Sequence, residues 1–210
     1  MMFNTWQILA RSSDSIPEDW REQMVMMLGH KPRRVSAFTE AVLYGALECM
    51  TQNPQLNVAR LSALRITTQK GPRTASRKMI AQSTHELPMP FTFLHSQLGQ
   101  ALASLTHALS WQGDASILIG NNTSDFIRMS LISSHSHDVL LGWVDEINDD
   151  DPQKNHWLWL SPCALPDQAT RQHDALDPDT THIQLNTQGI EYWSASSARS
   201  SHLIDFIESQ

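Results

Sequence analysis

The residues best suited to chemistry in this chain follow a short apolar run near its middle. Ala115 to Ile119 carries no charge, and the polar cluster GNNTSD comes directly after it. Where such a cluster joins a strand to a helix, hydroxyls can serve as nucleophiles or as helix caps. The helix N-terminus can also bind an anion. Thr123 and Ser124 are therefore candidate nucleophiles, although both are also typical N-cap residues and their setting favours capping.

Histidines and cysteines supply the other reactive groups. His135 and His137 lie two residues apart just before Asp138, a spacing that could reach one metal ion from a strand and that also suits a helix C-terminus. No Cys or carboxylate cluster accompanies them, so we predict no metal site. Cys49 lies among apolar residues of a predicted helix, which favours inert core, and Cys163 follows a predicted strand. Neither has a histidine placed by sequence to activate it.

Known signatures of cofactor binding and catalysis are missing from the sequence. The eight glycines never occur as GxG, and neither HExxH nor GxSxG is present. We therefore expect no cofactor. Two cysteines cannot build a disulfide framework, which favours a reducing, cytoplasmic location. No apolar run approaches the roughly 18 residues of a membrane span, so we predict none.

The elements that must position these residues predict an α/β domain. We predict strands at 3–10, 61–68, 115–119, 139–147, 156–161 and 182–186, and helices at 18–28, 36–51, 74–86, 96–110, 126–134 and 201–208. Pro88 and Pro90 predict an extended stretch. The charge-free run Ala115 to Ile119 predicts a strand covered on both faces in the middle of a mixed sheet, with helices on both sides. We divide the chain into a main domain, 1–161, and an extension packed on it, 162–210.

One segment resembles a known family. From Met89 to Phe126, MPFTFLHSQLGQALASLTHALSWQGDASILIGNNTSDF resembles the N-terminal half of a β-ketoacyl-acyl carrier protein synthase. In that family a Pro- and Phe-containing stretch leads into a small-residue helix, a Gly-containing turn, a buried strand and the nucleophile turn. Upstream, ITTQKGPRTASRKMIAQ is similar to the preceding strand, turn and helix. The likeness covers residues 35–160 and implies half of a thiolase-like fold.

Departures from the family pattern shape the functional expectation. Counted from Gly113, the position of the family's catalytic Cys falls on Asn122, and Asn is no nucleophile. The family's catalytic histidines belong to a second half, which we expect this chain to lack. The resemblance therefore implies a non-catalytic, chain-length-factor-like partner of a full-length ketosynthase, in fatty acid or polyketide biosynthesis of the aryl polyene type. The family's dimers join through the strand before the nucleophile, which here comprises Ala115, Ser116, Ile117, Leu118 and Ile119.

Charge is distributed unevenly along the chain. Residues 1–128 carry 12 Lys and Arg against 9 Asp and Glu, whereas residues 129–210 carry 3 against 13. Between Cys49 and His85 there are six basic residues and no acid: Arg60, Arg65, Lys70, Arg73, Arg77 and Lys78. Such a stretch predicts a face for an acidic partner, such as an acyl carrier protein, or a solvated basic surface. A pI near 5.7 and the lack of interleaved aromatics argue against nucleic acid.

An enzymatic alternative stays open at this point. The chain could be a stand-alone hydrolase or acyltransferase that uses Ser124 or Thr123, or the His135/His137 pair. The two hypotheses differ in what they require of the structure. An enzyme needs a nucleophile within reach of a base, whereas a partner subunit needs a surface that is incomplete by itself.

Overall fold

Strands and helices alternate along most of the chain. The computed structural model describes residues 5–12, 15–84, 89–120, 122–133, 137–146, 155–163, 181–185, 190–194 and 197–200. Within these ranges the strands are β1 (Thr5–Arg11), β2 (Leu61–Thr68), β3 (Asp114–Ile119), β4 (Asp138–Val144), β5 (Asn155–Cys163), β6 (Thr181–Leu185), β7 (Ile190–Ser194) and β8 (Ser197–Ser200). The helices are α1 (Trp20–Leu28), α2 (Ala37–Thr51), α3 (Arg73–Ser83), α4 (Pro90–His95), α5 (Leu98–Ala108) and α6 (Thr123–Ser133).

All eight strands belong to one mixed sheet in the order β3-β2-β4-β5-β1-β6-β7-β8. β3, β2 and β4 run parallel, and every other pairing is antiparallel. β5 continues past residue 161, and β6 extends the same sheet by pairing with β1. The predicted α/β class with a mixed sheet is therefore confirmed. β7 and β8 were not predicted, and the predicted helix at 201–208 lies outside the described residues.

Helices cover both faces of the sheet, as predicted. On one face α1, α2 and α5 pack over a cluster that includes Leu64 and Leu140. On the other face α6 places Phe126, Ile127 and Leu131 against the sheet. None of the helices in the described ranges is long and apolar enough to cross a membrane.

The most enclosed helix is α2, which begins at the predicted cap. Ser36 Oγ accepts the backbone N–H of Thr39 at 3.1 Å. α2 lies close to the sheet because Gly45 has no side chain where the Trp157 indole passes. A Cβ on Gly142 of β4 would likewise approach that ring within 2.7 Å. Trp157 therefore fills the space left by one glycine on the helix and another on the sheet.

Two segments around residues 88–109 gave different outcomes. The predicted extended stretch at Pro88 and Pro90 is wrong for the part described: Pro90 is the first residue of α4, where its fixed φ suits a helix start and its missing N–H costs nothing. α5 confirms the predicted leucine stripe. Leu105 is buried, and its neighbours on that stripe, Leu98, Leu102 and Leu109, pack against the same core.

Candidate functional site

The turn after β3 is a helix cap and carries no nucleophile among its described side chains. Asn122 Oδ1 accepts the backbone N–H of Asp125 at 3.1 Å, and Asn122 Nδ2 donates to the Asp125 carboxylate at 2.7 Å. The Asn122 carbonyl also accepts the N–H of Phe126. The expectation that Thr123 and Ser124 cap the helix is therefore wrong, since they form its first turn. Asn122, at the predicted nucleophile position, performs the capping.

β3 lies at the edge of the sheet, so the expectation of a strand covered on both sides is wrong. Among the described strands it pairs only with β2, and Leu118 and Ile119 are 36% and 73% exposed. Ala115 and Ile117 turn toward the core and pack against it. The fully covered central strand is β4, which has β2 on one side and β5 on the other. An apolar edge with open backbone groups is prone to pair with another chain.

The edge strand is fixed to β2 at both of its ends. At the start, the buried guanidinium of Arg65 donates to the backbone carbonyl of Asp114 at 2.7 Å and forms an ion pair with its carboxylate. At the end, the N–H of Gly120 donates to the Thr68 carbonyl at 3.0 Å, and the Thr67 hydroxyl donates to the Gly120 carbonyl. Arg65 thus holds the edge and is not exposed to a partner.

The six predicted basic residues do not form one face. Arg60 lies at the amino end of β2, where it pairs with buried Asp138 at 3.5 Å, and Arg65 is buried beside Asp114. The remaining four follow the carboxyl end of β2, on the turn and on α3. Lys70, Arg77 and Lys78 are exposed and Arg73 is half-buried. Only Lys70, Arg73, Arg77 and Lys78 can therefore belong to a common basic surface.

Sequence reasoning missed two carboxylates that hold this basic turn. Asp145 Oδ1 accepts the Thr68 hydroxyl at 2.7 Å and the backbone N–H groups of Gln69 and Lys70 at 3.0 and 2.8 Å. Glu146 Oε2 accepts the N–H of Thr74 at 2.6 Å, in the first turn of α3. The sequence signal that could have found them is a pair of acids directly after β4. Because β2 and β4 are parallel, they end at the same edge of the sheet, where these acids meet the turn after β2.

The candidate catalytic groups lie at separate places in the described part of the chain. Burial, and then the charge of Glu48, raises the pKa of the Cys49 thiol, and burial raises that of Cys163. A reactive thiol needs the opposite shift. His137 follows the carboxyl end of α6, whereas Ser124 lies at its start, and 11 helical residues span roughly 16 Å. His135 lies outside the described residues. Within the described ranges no three His, Cys, Asp or Glu residues gather as a metal site.

Further apolar side chains lie exposed on two helices, α4 and α6. On α6, Met129 and Ile132 are exposed on the side opposite the one that packs on the sheet. On α4, Phe91, Phe93 and Leu94 are exposed although the helix packs against α3 and α5. Exposed apolar residues that form a contiguous patch are typical of surfaces that bind other molecules.

Comparisons with known proteins identify the fold. The sequence matches no protein-family model and no curated protein. One chain in the complex of the ketosynthase ApeO with its chain length factor ApeC, from Xenorhabdus doucetiae, is similar with a TM-score of 0.51 at 15% identity. That match covers 78% of this chain and 80% of that one.

Two further structures show the same likeness. The ishigamide ketosynthase/chain length factor matches with a TM-score of 0.53 at 11% identity, over 77% of this chain and 59% of that one. AntDE:AntF, a type II PKS acyl carrier protein in complex with its ketosynthase bound to the hexaketide, matches with 0.54 at 8%, over 76% and 62%. This chain therefore has the fold of chains in ketosynthase complexes, as the resemblance implied. It spans less than two thirds of the latter two chains.

Proposed function

We propose that this chain is a non-catalytic, chain-length-factor-like subunit that pairs with a full-length ketosynthase. The observation that carries the proposal is the capping role of Asn122 within a ketosynthase-like fold. Condensation by this family needs a covalent acyl-thiolate intermediate, and the position expected for that thiolate holds an amide bound to Asp125. The pathway that we propose is polyketide biosynthesis of the aryl polyene type.

The surface that we assign to the ketosynthase is the β3 edge. Its open side, with Leu118 and Ile119, would receive a strand of the partner, and Met129 and Ile132 of α6 would extend the covered area. Stable subunit interfaces bury on the order of 2,000 Å² or more and resemble protein cores. An apolar edge strand, followed along the chain by a helix with exposed apolar residues, supports an interface of that core-like character.

A second surface suits an acidic carrier protein. Lys70, Arg73, Arg77 and Lys78 follow one another on the turn after β2 and on α3. Complementary charge would speed the encounter with an acidic partner. The backbone of this turn is fixed by Asp145 and Glu146, so the cations start from an ordered main chain.

Coexpression with a full-length ketosynthase from the same genome tests the pairing. We expect the two proteins to coelute in size-exclusion chromatography. Ile119→Asp should abolish coelution while destabilising the free chain by about 0.5 kcal/mol or less, because Ile119 is exposed there. Gln55→Asp is the control, because it also adds a charge at an exposed position. Gln55 lies two residues after Asn53, whose side chain donates to the Leu9 carbonyl of β1. β1 is four strands away from β3 in the sheet. A wild-type chain that stays a monodisperse monomer beside the ketosynthase would rule the proposal out.

Acylation tests the lack of catalysis. Incubated with acyl carrier protein thioesters, the isolated chain should show no acyl adduct on Cys49 or Cys163 by mass spectrometry, since both thiols have raised pKa values. An adduct that forms and turns over would contradict the proposal and favour the enzymatic alternative.

Charge reversal tests the carrier surface. Arg73→Glu, Arg77→Glu and Lys78→Glu together should lower carrier-dependent activity of the assembled complex, with the largest effect at low salt where charges are least screened. Equal rates for the charge-reversed and wild-type complexes at low salt would show that these cations do not bind the carrier protein and are only solvated by water.

A further inference from the structure

The short helix α4 has the reverse of the usual polarity of a surface helix. Its buried residue is Thr92, at 8% exposure, whereas Phe91, Phe93 and Leu94 are 47%, 55% and 43% exposed. At 3.6 residues per turn these three side chains lie around the arc of the helix opposite Thr92. A helix of a globular domain normally turns its apolar side toward the core. Within the described part of the chain, α4 instead presents its apolar side outward.

A basic loop is docked beside this apolar side. The guanidinium carbon of Arg34 lies 5.0 Å from the centroid of the Phe91 ring, a cation–π contact. The Arg34 backbone carbonyl accepts Gln100 Nε2 of α5 at 2.8 Å, so the loop is attached to α5 as well. Lys31 and Arg33 belong to the same loop, residues 30–34, and both are exposed. Three cations are therefore carried by a loop that contacts the apolar side of α4.

The elements packed on α4 add positive charge and no negative charge. α4 packs against α3 and α5. The described residues between 52 and 113, which include all three helices, contain no Asp or Glu, and neither does the loop 30–34. α3 contributes exposed Arg77 and Lys78. A partner of α4 and its neighbours must therefore be apolar where it meets the phenylalanines and anionic where it meets the cations.

A membrane surface that contains anionic lipids meets both requirements. Its lipid phosphates attract Lys and Arg, and the acyl chains directly below accept apolar side chains. An acidic protein surface would match the cations but would place charged groups against three large apolar side chains. Phe91, Phe93 and Leu94 therefore favour the membrane over an acidic protein.

We propose that α4 and the loop 30–34 bind the surface of an anionic lipid bilayer. Phe91, Phe93 and Leu94 enter the boundary between headgroups and acyl chains, and Lys31 and Arg33 meet lipid phosphates. This is attachment to one surface and needs no spanning helix. It uses neither the β3 edge nor the pairing with a ketosynthase, so it stands or fails independently of both.

Cosedimentation of the full chain with lipid vesicles tests the proposal. We expect binding to vesicles of equimolar phosphatidylcholine and phosphatidylglycerol, and binding about tenfold weaker or less to phosphatidylcholine alone. Added salt should weaken it, because salt screens exposed charges. Phe93→Ser should weaken binding about fivefold or more, since an inserted apolar side chain is lost. Arg33→Gln should weaken it about fivefold.

Two control variants match these changes elsewhere on the molecule. Met26→Ser removes an apolar side chain that is 72% exposed on α1, which packs against α2, whereas α4 packs against α3 and α5. Arg128→Gln removes an exposed cation from α6, on the opposite face of the sheet. Both controls should bind the mixed vesicles as the wild type does. Circular dichroism of all four variants checks that the exposed substitutions leave the fold intact.

Three results would overturn the proposal. The first is a wild-type chain that does not sediment with the mixed vesicles. If Phe93→Ser then lowered carrier-dependent activity of the assembled complex, the surface would belong to an acidic protein instead. The second is equal binding to both kinds of vesicle, which would remove the role of anionic lipid. The third is an equal loss in each variant and its matched control, which would show that α4 and the loop are not the binding surface.

Discussion

β3 and β4 are two apolar strands that flank β2 in the same parallel direction, yet they meet different surroundings. In β4, Val139, Leu140 and Leu141 are fully buried between β2 and β5. In β3, Ile117 is half-buried and Ile119 is largely exposed, since β2 is its one neighbour among the strands that the structure describes. Two apolar strands beside the same neighbour can therefore differ widely in burial, because burial depends on which other strands and helices lie next to them.

The largest expected effect comes from one charge placed in each strand. Leu140→Asp should destabilise the chain by about 4–5 kcal/mol or more, enough to prevent folding, because both sheet neighbours and α2 enclose the side chain. Ile117→Asp should cost less, and Ile119→Asp about 0.5 kcal/mol or less. Urea denaturation monitored by circular dichroism gives the order. Equal losses at positions 140 and 119 would mean that β3 is covered in the free chain.

Glycine substitutions sharpen the contrast at intermediate size. Gly142→Ala should cost about 1–3 kcal/mol, because the new Cβ would meet the rigid Trp157 ring and cannot be accommodated without a backbone shift. Gly120→Ala, directly after β3, adds a methyl group where no atom lies within 4 Å, and should be nearly neutral. Thermal unfolding of both variants distinguishes them; a neutral Gly142→Ala would contradict the packing described for β4.

The smallest expected effects come from removing the N-terminal caps of α6, which follows β3, and of α2, which packs against β4. Asn122→Ala should cost about 0.5–1 kcal/mol, because the cap of α6 is exposed and water replaces it in part. Ser36→Ala should cost about 1–2 kcal/mol, since the cap of α2 is buried and its hydroxyl also bonds to Thr39 Oγ1. Denaturation midpoints provide the measurement. A larger loss for Asn122 would show that α6 is more enclosed than its exposed Met129 indicates.

Sequence patterns predicted the helices well where the contacts that form them lie within a few residues along the chain. Ser36 caps α2 as expected, and the leucine stripe places α5 on the core. Pro90 shows the limit, since proline suits both an extended stretch and a helix start. Arg65 was predicted on an exposed basic face, but it is buried because β3 lies beside β2 and brings Asp114 within reach. The residues around Arg65 in the sequence do not show that β3 is the neighbouring strand.

Only part of the turn after β3 could be predicted from the sequence. The polar cluster was expected to cap the following helix, and Asn122 of that cluster caps α6. Its assignment to the family's nucleophile position stays a prediction. Whether the strand before it lies in the middle or at the edge depends on which strands fill both sides of β2, a long-range choice. The turn-holding pair Asp145 and Glu146 depends on the same choice, since it requires β4 to end beside β2.

The double attachment of β3 has a consequence for the speed and cost of association. Arg65 holds the strand at Asp114, and Thr68 and Thr67 hold it at Gly120. A strand that is already extended and ordered loses little conformational entropy when another chain pairs with it. Its affinity for a partner then depends on contacts made and not on ordering. The same rigidity makes β3 a ready template for its own copies, so self-association at high concentration would compete with the proposed pairing.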